Sequence, residues 1–201
     1  MSLANKFTFM RIFLAPVFFI LYLLPVYFPS LFPINAAWTV PILWIIAIYA
    51  ELTDMFDGMA ARKYNEVSDF GKFFDPFADT IFQLTGILCF VIDGIFPAFL
   101  FLIVLYREYS ILFIRNLMLK KGIAMGARIS GKIKTVTYII AEAVALLAGS
   151  VQRLGRFDFL YPILKNIAVG IFIIAVAVAV VSFFDYYSVY RKASAAGEPN
   201  K

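Results

Sequence analysis

The sequence predicts an all-α, polytopic membrane protein with six transmembrane helices and both termini in the cytoplasm. Three observations predict it. Of 201 residues, 63% are hydrophobic and 15% are charged, against ~45–50% and ~25% in an average soluble domain. The apolar residues fall into six runs long enough, or nearly so, to cross a bilayer. Lysine and arginine are distributed unequally between the segments that join those runs.

A single domain of this length does not need so much apolar surface for its own core. With a mean hydropathy of +0.87, the excess must face lipid. Composition thereby excludes a disordered chain, a disulfide scaffold and an ordinary cytosolic enzyme. Residues 1–201 form one domain, without an internal repeat or a low-complexity tract. The lone cysteine, Cys89, can close no internal disulfide and reads as a small core residue. There is no histidine, so proton chemistry falls to carboxylates, Lys, Tyr or Cys.

The runs are Ile12–Phe28, Ile34–Ala50, Thr80–Ile92, Ile95–Tyr106 continuing toward Leu119, Thr135–Val151 and Asn166–Phe184. They are continuous rather than alternating, which selects helices over barrel strands. A spanning helix needs about 20 residues. The third and fourth runs fall short unless their charged ends also lie at membrane depth. The first run follows Lys6 and Arg11 as a signal peptide would, but it is long and lacks a small-x-small cleavage site, so it is a retained span.

Orientation follows from the basic residues. The N-terminus, the two segments after the second and fourth runs, and the tail together hold 13 of the 18 Lys and Arg. Opposite loops hold Arg153 and Arg156, with Lys165 at the start of the sixth run. The positive-inside rule then places both termini in the cytoplasm, which requires an even number of spans. The net charge of +5 is a membrane-surface bias toward lipid headgroups and not a nucleic-acid footprint. Tyrosines near the run ends fit an interfacial belt.

The segment Glu51–Asp79 carries the chemistry. Asp54 and Asp57 are three residues apart, and Asp75 and Asp79 four apart, so each pair shares a helix face. A hairpin of two helices would gather four carboxylates at the cytoplasmic end of two spans. Carboxylates at membrane depth cost ~2.5–3.5 kcal/mol each and are functional by default. One alone would serve as a cap or a turn: Asp75 before Pro76 resembles an N-cap, and Asp57-Gly58 an ordinary turn. Four at regular spacing on apolar helices need cations between them, and hard oxygen donors select Mg²⁺ or Mn²⁺.

The pattern Asp54-x2-Asp57-Gly58-x2-Ala61-Arg62-x8-Gly71-x3-Asp75-x3-Asp79 resembles the signature of the CDP-alcohol phosphotransferases at all eight fixed positions. The resemblance implies transfer of a substituted phosphate from a CDP-activated molecule to an alcohol, with loss of CMP. It implies two metal ions held by Asp54, Asp57 and Asp75, with Asp79 as general base that also touches a metal. Asp57, Gly58, Ala61, Arg62 and Gly71 would then bind the nucleotide. It further implies a homodimer. The chemistry agrees: a diphosphate leaves poorly until its charge is neutralised, and the acceptor hydroxyl needs a base within reach. Gly58, Gly71 and Ala61 permit close approach, and the Arg62 fork suits phosphate or ribose oxygens.

A second constellation bears on the acceptor alcohol. Arg107-Glu108 interrupts the fourth span, Arg115 follows two turns later, and Lys132 and Lys134 lie where the fifth span opens. Lys120 and Lys121 read as headgroup contacts, while Arg107 is divided between a structural tie to Glu108 or Glu51 and a catalytic part. A basic pocket beside a metal site points to an acceptor that is itself a phosphate ester, its phosphate bound by Arg107, Arg115, Lys132 and Lys134. The stretches Arg107-Glu108-Tyr-Ser-x4-Arg115 and Gly131-Lys132-Ile-Lys134-Thr135-Val136, with the opening Asn5-Lys-Phe-Thr8-Phe-Met-Arg11, are similar to the branch of the family that acts on glycerol 3-phosphate. Tyr138 departs from that branch, where a polar amide is expected. The resemblance implies transfer of the phosphatidyl group of CDP-diacylglycerol to sn-glycerol 3-phosphate at the inner (cytoplasmic) cell membrane, giving phosphatidylglycerol phosphate and CMP. Inositol phosphate, serine or another alcohol is the alternative acceptor. An ion or proton transporter could string the same acids and Glu142 into a relay, but it would place them near the midplane within repeats.

Overall fold

A computed structural model of the protein describes residues 3–32, 36–64, 69–120, 122–123, 125 and 128–196. The side chains of residues 3–7, 54–73 and 195–196 lie outside the described ones. Among the described residues six long helices follow one another: α1 (Leu3–Tyr27), α2 (Thr39–Tyr64), α3 (Asp69–Ile92), α4 (Ala98–Lys120), α5 (Ile129–Leu154) and α6 (Tyr161–Ala196). A single 3₁₀ turn, Asp158–Leu160, precedes α6. Among the described residues there is no strand.

Each apolar run falls largely on one helix, but runs and helices do not share their ends. The second run ends at Ala50, yet α2 continues to Tyr64, and α3 begins at Asp69 rather than at Thr80. Two local readings are thereby corrected. Asp57-Gly58 is not a turn, since the backbone is helical through it. Asp75 is not an N-cap, because Pro76 lies inside α3. The fourth run is shortened for a different reason. Gly94 takes φ 72°, and the amides of Ile95 and Phe96 both donate to Phe90 O at 2.8 and 3.0 Å. Ile95 and Phe96 are thus consumed in a tight, buried turn, where Phe96 stacks on Phe172 of α6 at 4.1 Å.

Among the described residues, four stretches are long and apolar enough to cross a membrane: Thr8–Tyr27, Phe74–Ile92, Ile129–Leu154 and Asp158–Ser194. The protein is therefore a multi-pass membrane protein. On α2 the apolar stretch is the shorter Thr39–Thr53, and α4 carries Arg107, Glu108 and Arg115. Phe13, Ile20, Ile45, Phe99, Phe113, Val181 and Phe184 point outward, as a lipid-facing surface requires.

Helices alternate in direction. α1 lies parallel to α3, tied by Thr8 to Asp75, Arg11 to Asp79 and Tyr22 to Asp93. α5 lies antiparallel along α6, with Ser130 on Asp185. Small buried residues bring this pair close: Ala141, Ala145 and Ala148 on α5 face Ala168, Ala175 and Ala179 on α6. Ala175 and Ala179 are therefore spent on intrachain packing, while Gly170 and Ala177 stay exposed.

One end of the bundle is closed by a polar lock. Arg153, buried, lies over the Tyr22 ring at 4.3 Å and donates to Tyr22 O at 2.8 Å and to Thr39 Oγ1 at 3.1 Å. Tyr22 in turn donates to Asp93 Oδ2 at 2.7 Å. Burial raises the Asp93 carboxyl above its usual range, against the lowering effect of that hydrogen bond. Gly149 packs on this lock, and a Cβ there would sit 2.8 Å from Tyr22 Oη. Gly149→Ala should therefore destabilise the detergent-solubilised protein by about 1–3 kcal/mol through overpacking. Gly170→Ala, with open space around it, should be neutral or gain up to about 1 kcal/mol from helix propensity. Equal melting temperatures for the two variants would contradict this packing.

Candidate active site

At the other end, α2 at Ala50 and Glu51 and the N-terminal half of α3 meet α1, α4, α5 and α6 around a polar cleft of about 270 Å³. Asp75 and Asp79 stand one turn apart on α3, so both face α1. Thr8 Oγ1 donates to Asp75 Oδ1 at 2.6 Å, and the buried Arg11 pairs with Asp79 Oδ1. Asp79 keeps 41% of its side-chain surface open, which leaves it available to a molecule in the cleft. Asp54, Asp57, Gly58, Ala61 and Arg62 lie on the helical backbone of α2, and Gly71 on that of α3. Their side chains fall outside the described residues.

Among the described residues, no group of three or more His, Cys, Asp or Glu gathers as a metal site. Asp75 and Asp79 are nevertheless hard oxygen donors on one face of α3, with Asp79 lining the cleft, and Asp54 and Asp57 lie on the backbone of α2. An all-carboxylate donor set of this kind fits a hard divalent cation.

The opposite wall is basic. Arg107 is buried and its guanidinium is already engaged. Nη1 donates to both Glu108 oxygens at 2.9 Å, Nη2 to Ser182 Oγ at 2.7 Å and Nε to Ala179 O at 3.3 Å. Lys134, also buried, shares Glu108 Oε1 at 3.0 Å and reaches Gln83 at 3.4 Å. Its ammonium sits 4.8 Å from the Tyr138 ring centroid, so Tyr138 offers an aromatic face where an amide was expected. Arg115 donates from Nη2 to Tyr186 Oη at 3.0 Å. Lys132 is exposed and lines the cleft beside Lys134. Lys132 and Lys134 thus reach the same cavity although they are only two residues apart on α5.

Two cations counted in the sequence as orienting charges also line the cleft: Arg11 from α1 and Arg128 just before α5. Arg128 Nε is held by Asp185 Oδ2 at 2.6 Å. Among the described residues, six cations line the cavity with Glu51, Asp79 and Glu108, an excess of positive charge that favours an anionic occupant. The sequence contained one signal for Arg11, its spacing three residues from Thr8, but nothing local identified α3 as their neighbour.

An apolar groove of about 290 Å³ adjoins the cleft and shares Glu51 and Phe82 with it. It runs between Trp44, Ile48 and Leu52 of α2 and Ile139, Ala143 and Leu146 of α5. Glu142 lines it, close over Gly86.

A hydrophobic groove adjoining a cationic cleft suits an occupant with an apolar part and an anionic part. Comparison with known proteins is specific. Residues 1–182 match the model of the CDP-alcohol phosphatidyltransferase family, and the chain belongs to that family. It is 36% identical over 197 residues to the CDP-diacylglycerol--glycerol-3-phosphate 3-phosphatidyltransferase of Treponema pallidum, covering 94% of this chain and 89% of that protein. To the Bacillus subtilis protein of the same description it is 34% identical over 189 residues, covering 93% and 94%. The Rickettsia typhi protein is 29% identical over 178 residues, covering 86% and 92%. The family is generally dependent on divalent metal ions.

The two lysines separate experimentally. Lys134→Ala strips Glu108 of one of its two cations and should lower unfolding free energy by about 3–5 kcal/mol. Lys132→Ala, at an exposed position, should stay within about 0.5 kcal/mol. Chemical unfolding of both variants in one detergent checks this, and equal losses would contradict the burial difference.

Proposed function

We propose that the protein transfers the phosphatidyl group of CDP-diacylglycerol to sn-glycerol 3-phosphate, forming phosphatidylglycerol phosphate and releasing CMP. The observation that carries this reading is one cavity in which Asp79 faces Arg115, Lys132 and Lys134. A carboxylate alone would suit any alcohol. A carboxylate with three cations opposite suits an alcohol that also bears a phosphate dianion. The apolar groove joined to the cleft at Glu51 and Phe82 supports a diacyl donor, whose chains need a dry path beside its diphosphate.

In this reading Asp79 Oδ takes the proton from the primary hydroxyl of glycerol 3-phosphate. That oxygen bonds to the β-phosphorus, and the bond from this phosphorus to the bridging oxygen breaks, so CMP leaves with the electron pair. Asp54, Asp57 and Asp75, with Asp79, would hold two Mg²⁺ or Mn²⁺ ions. Bound there, such ions supply charge neutralisation of the diphosphate. Asp57, Gly58, Ala61, Arg62 and Gly71 bind the nucleotide. Arg115, Lys132 and Lys134 hold the acceptor phosphate, and Arg107, whose donors are committed to Glu108, Ser182 and Ala179, adds charge to that wall. Residues 1–201 act as one catalytic domain with six spans in the inner (cytoplasmic) cell membrane. Both termini and the cleft face the cytoplasm, where glycerol 3-phosphate is available, and the enzyme works as a homodimer.

The test is CMP release by purified protein given CDP-diacylglycerol, Mg²⁺ or Mn²⁺, and a panel of acceptors: glycerol 3-phosphate, glycerol, serine, inositol phosphate and phosphatidylglycerol. Glycerol 3-phosphate should be used best and glycerol poorly. A better rate with serine or inositol phosphate would move the enzyme to another branch of the family. Asn substitution at Asp54, Asp57 or Asp75, or exhaustive EDTA treatment, should abolish release while the protein stays folded. Asp79→Asn should lower turnover by at least the ~10²–10⁴-fold of a lost general base and leave CDP-diacylglycerol binding intact. Arg115→Ala should cost roughly 10- to 150-fold in kcat/KM for the acceptor, whereas Lys120→Ala should change little.

A further inference from the structure

Tyr186 lies on α6, beyond the residues 1–182 that match the family model, and its side chain is 2% exposed. A phenol has one proton to donate and two lone pairs to accept with. Both lone pairs are used: Arg115 Nη2 donates to Oη at 3.0 Å, and the backbone N–H of Arg128 donates at 3.2 Å. Only the hydroxyl proton remains, and no group among the described residues accepts it. Tyr186 lines the cleft. Arg115 Nε is in the same condition, a buried donor without an acceptor among the described residues. Asp185, the nearest carboxylate in sequence, is occupied by Arg128 Nε and Ser130 Oγ, both at 2.6 Å.

Two buried donors on one wall of a cavity call for a ligand that accepts hydrogen bonds without needing to donate them. Phosphate oxygens meet that demand. We propose that Tyr186 Oη donates a hydrogen bond to the phosphate of the acceptor substrate, beside Arg115 Nε, with Asp185 positioning Arg128 as a further cation on that phosphate. The end of α6 is thus part of the acceptor site. Gly131 fits the same arrangement, since a Cβ there would sit 3.0 Å from Tyr186 Oη and press the hydroxyl out of place.

This inference rests on the glycerol 3-phosphate reading, so the experiment measures turnover and anion binding separately. Tyr186→Phe removes one oxygen and keeps the ring. It should raise KM for glycerol 3-phosphate about 10- to 100-fold, with KM for CDP-diacylglycerol unchanged. Titration calorimetry of the detergent-solubilised protein with glycerol 3-phosphate, and with inorganic phosphate as probe, should show the same loss. Arg115→Lys, which keeps the charge and removes Nε, should shift the same constant even if Tyr186→Phe proves unstable. Asp185→Asn should raise that KM by a smaller factor. A KM for glycerol 3-phosphate equal to wild type in a folded Tyr186→Phe protein overturns the proposal, and so does an equal rise for both substrates. If wild type does not turn over glycerol 3-phosphate, the functional reading fails. Weaker binding of inorganic phosphate by Tyr186→Phe would still uphold the anion site.

Discussion

Arg107, Glu108 and Lys134 are buried together at the base of the cleft, and much of the bundle is arranged so that none of the three is left alone. Removing one partner from such a group typically costs ~3–5 kcal/mol, because the remaining charge is stranded in a low-dielectric interior. Glu108 is therefore met by two cations, one from its own helix and one from α5. Arg107 spends its remaining donors on Ser182 and Ala179 of α6. The cluster pins α4, α5 and α6 at one level. Everything else on the basic wall, Arg115, Lys132 and Arg128, stands at a height fixed by that level.

The acidic wall is set by a different constraint, the parallel register of α1 and α3. Thr8 meets Asp75, Arg11 meets Asp79, and Tyr22 meets Asp93. The first two ties fix Asp75 and Asp79 against α1. The third belongs to the lock around Arg153 at the far end. Aromatic pairs fill the space between, with Phe18 beside Tyr22 and Phe82, and Tyr22 edge-on to Phe90. A slip of α3 along α1 would break these contacts together, so the position of Asp79 is defended by the length of the helix pair.

Between the two walls, α2 and α5 barely touch. Their separation leaves the apolar groove, and its meeting with the cleft at Glu51 and Phe82 puts a lipid-compatible surface against a cationic one. A soluble active site gathers its substrates from one solvent. Here the helix gap sets an apolar surface and a polar one side by side.

The all-helical class, the six helices and the facial pairing of Asp75 with Asp79 were legible in the sequence, because each depends on residues within a few turns of one another. So was the basic character of Arg115, Lys132 and Lys134. What the chain could not disclose locally was which helix stands opposite which. Arg11 looked like an orienting charge until α1 lay beside α3, 68 residues away from Asp79. The sequence left Arg107 divided between two roles, and it did not disclose that α6 supplies Ser182 and the Ala179 carbonyl to a guanidinium that also lines the cleft. Tyr186 carried no signal at all, since a tyrosine near a span end is ordinary. In a soluble protein the apolar stripe of a helix marks the face that packs inward. In a membrane both neighbours, lipid and protein, accept apolar side chains, so hydrophobic pattern alone does not separate a lipid-facing surface from a helix interface. Partnership between helices is decided by small residues, buried hydrogen bonds and charge pairing across long stretches of chain, and only the assembled bundle brings those together.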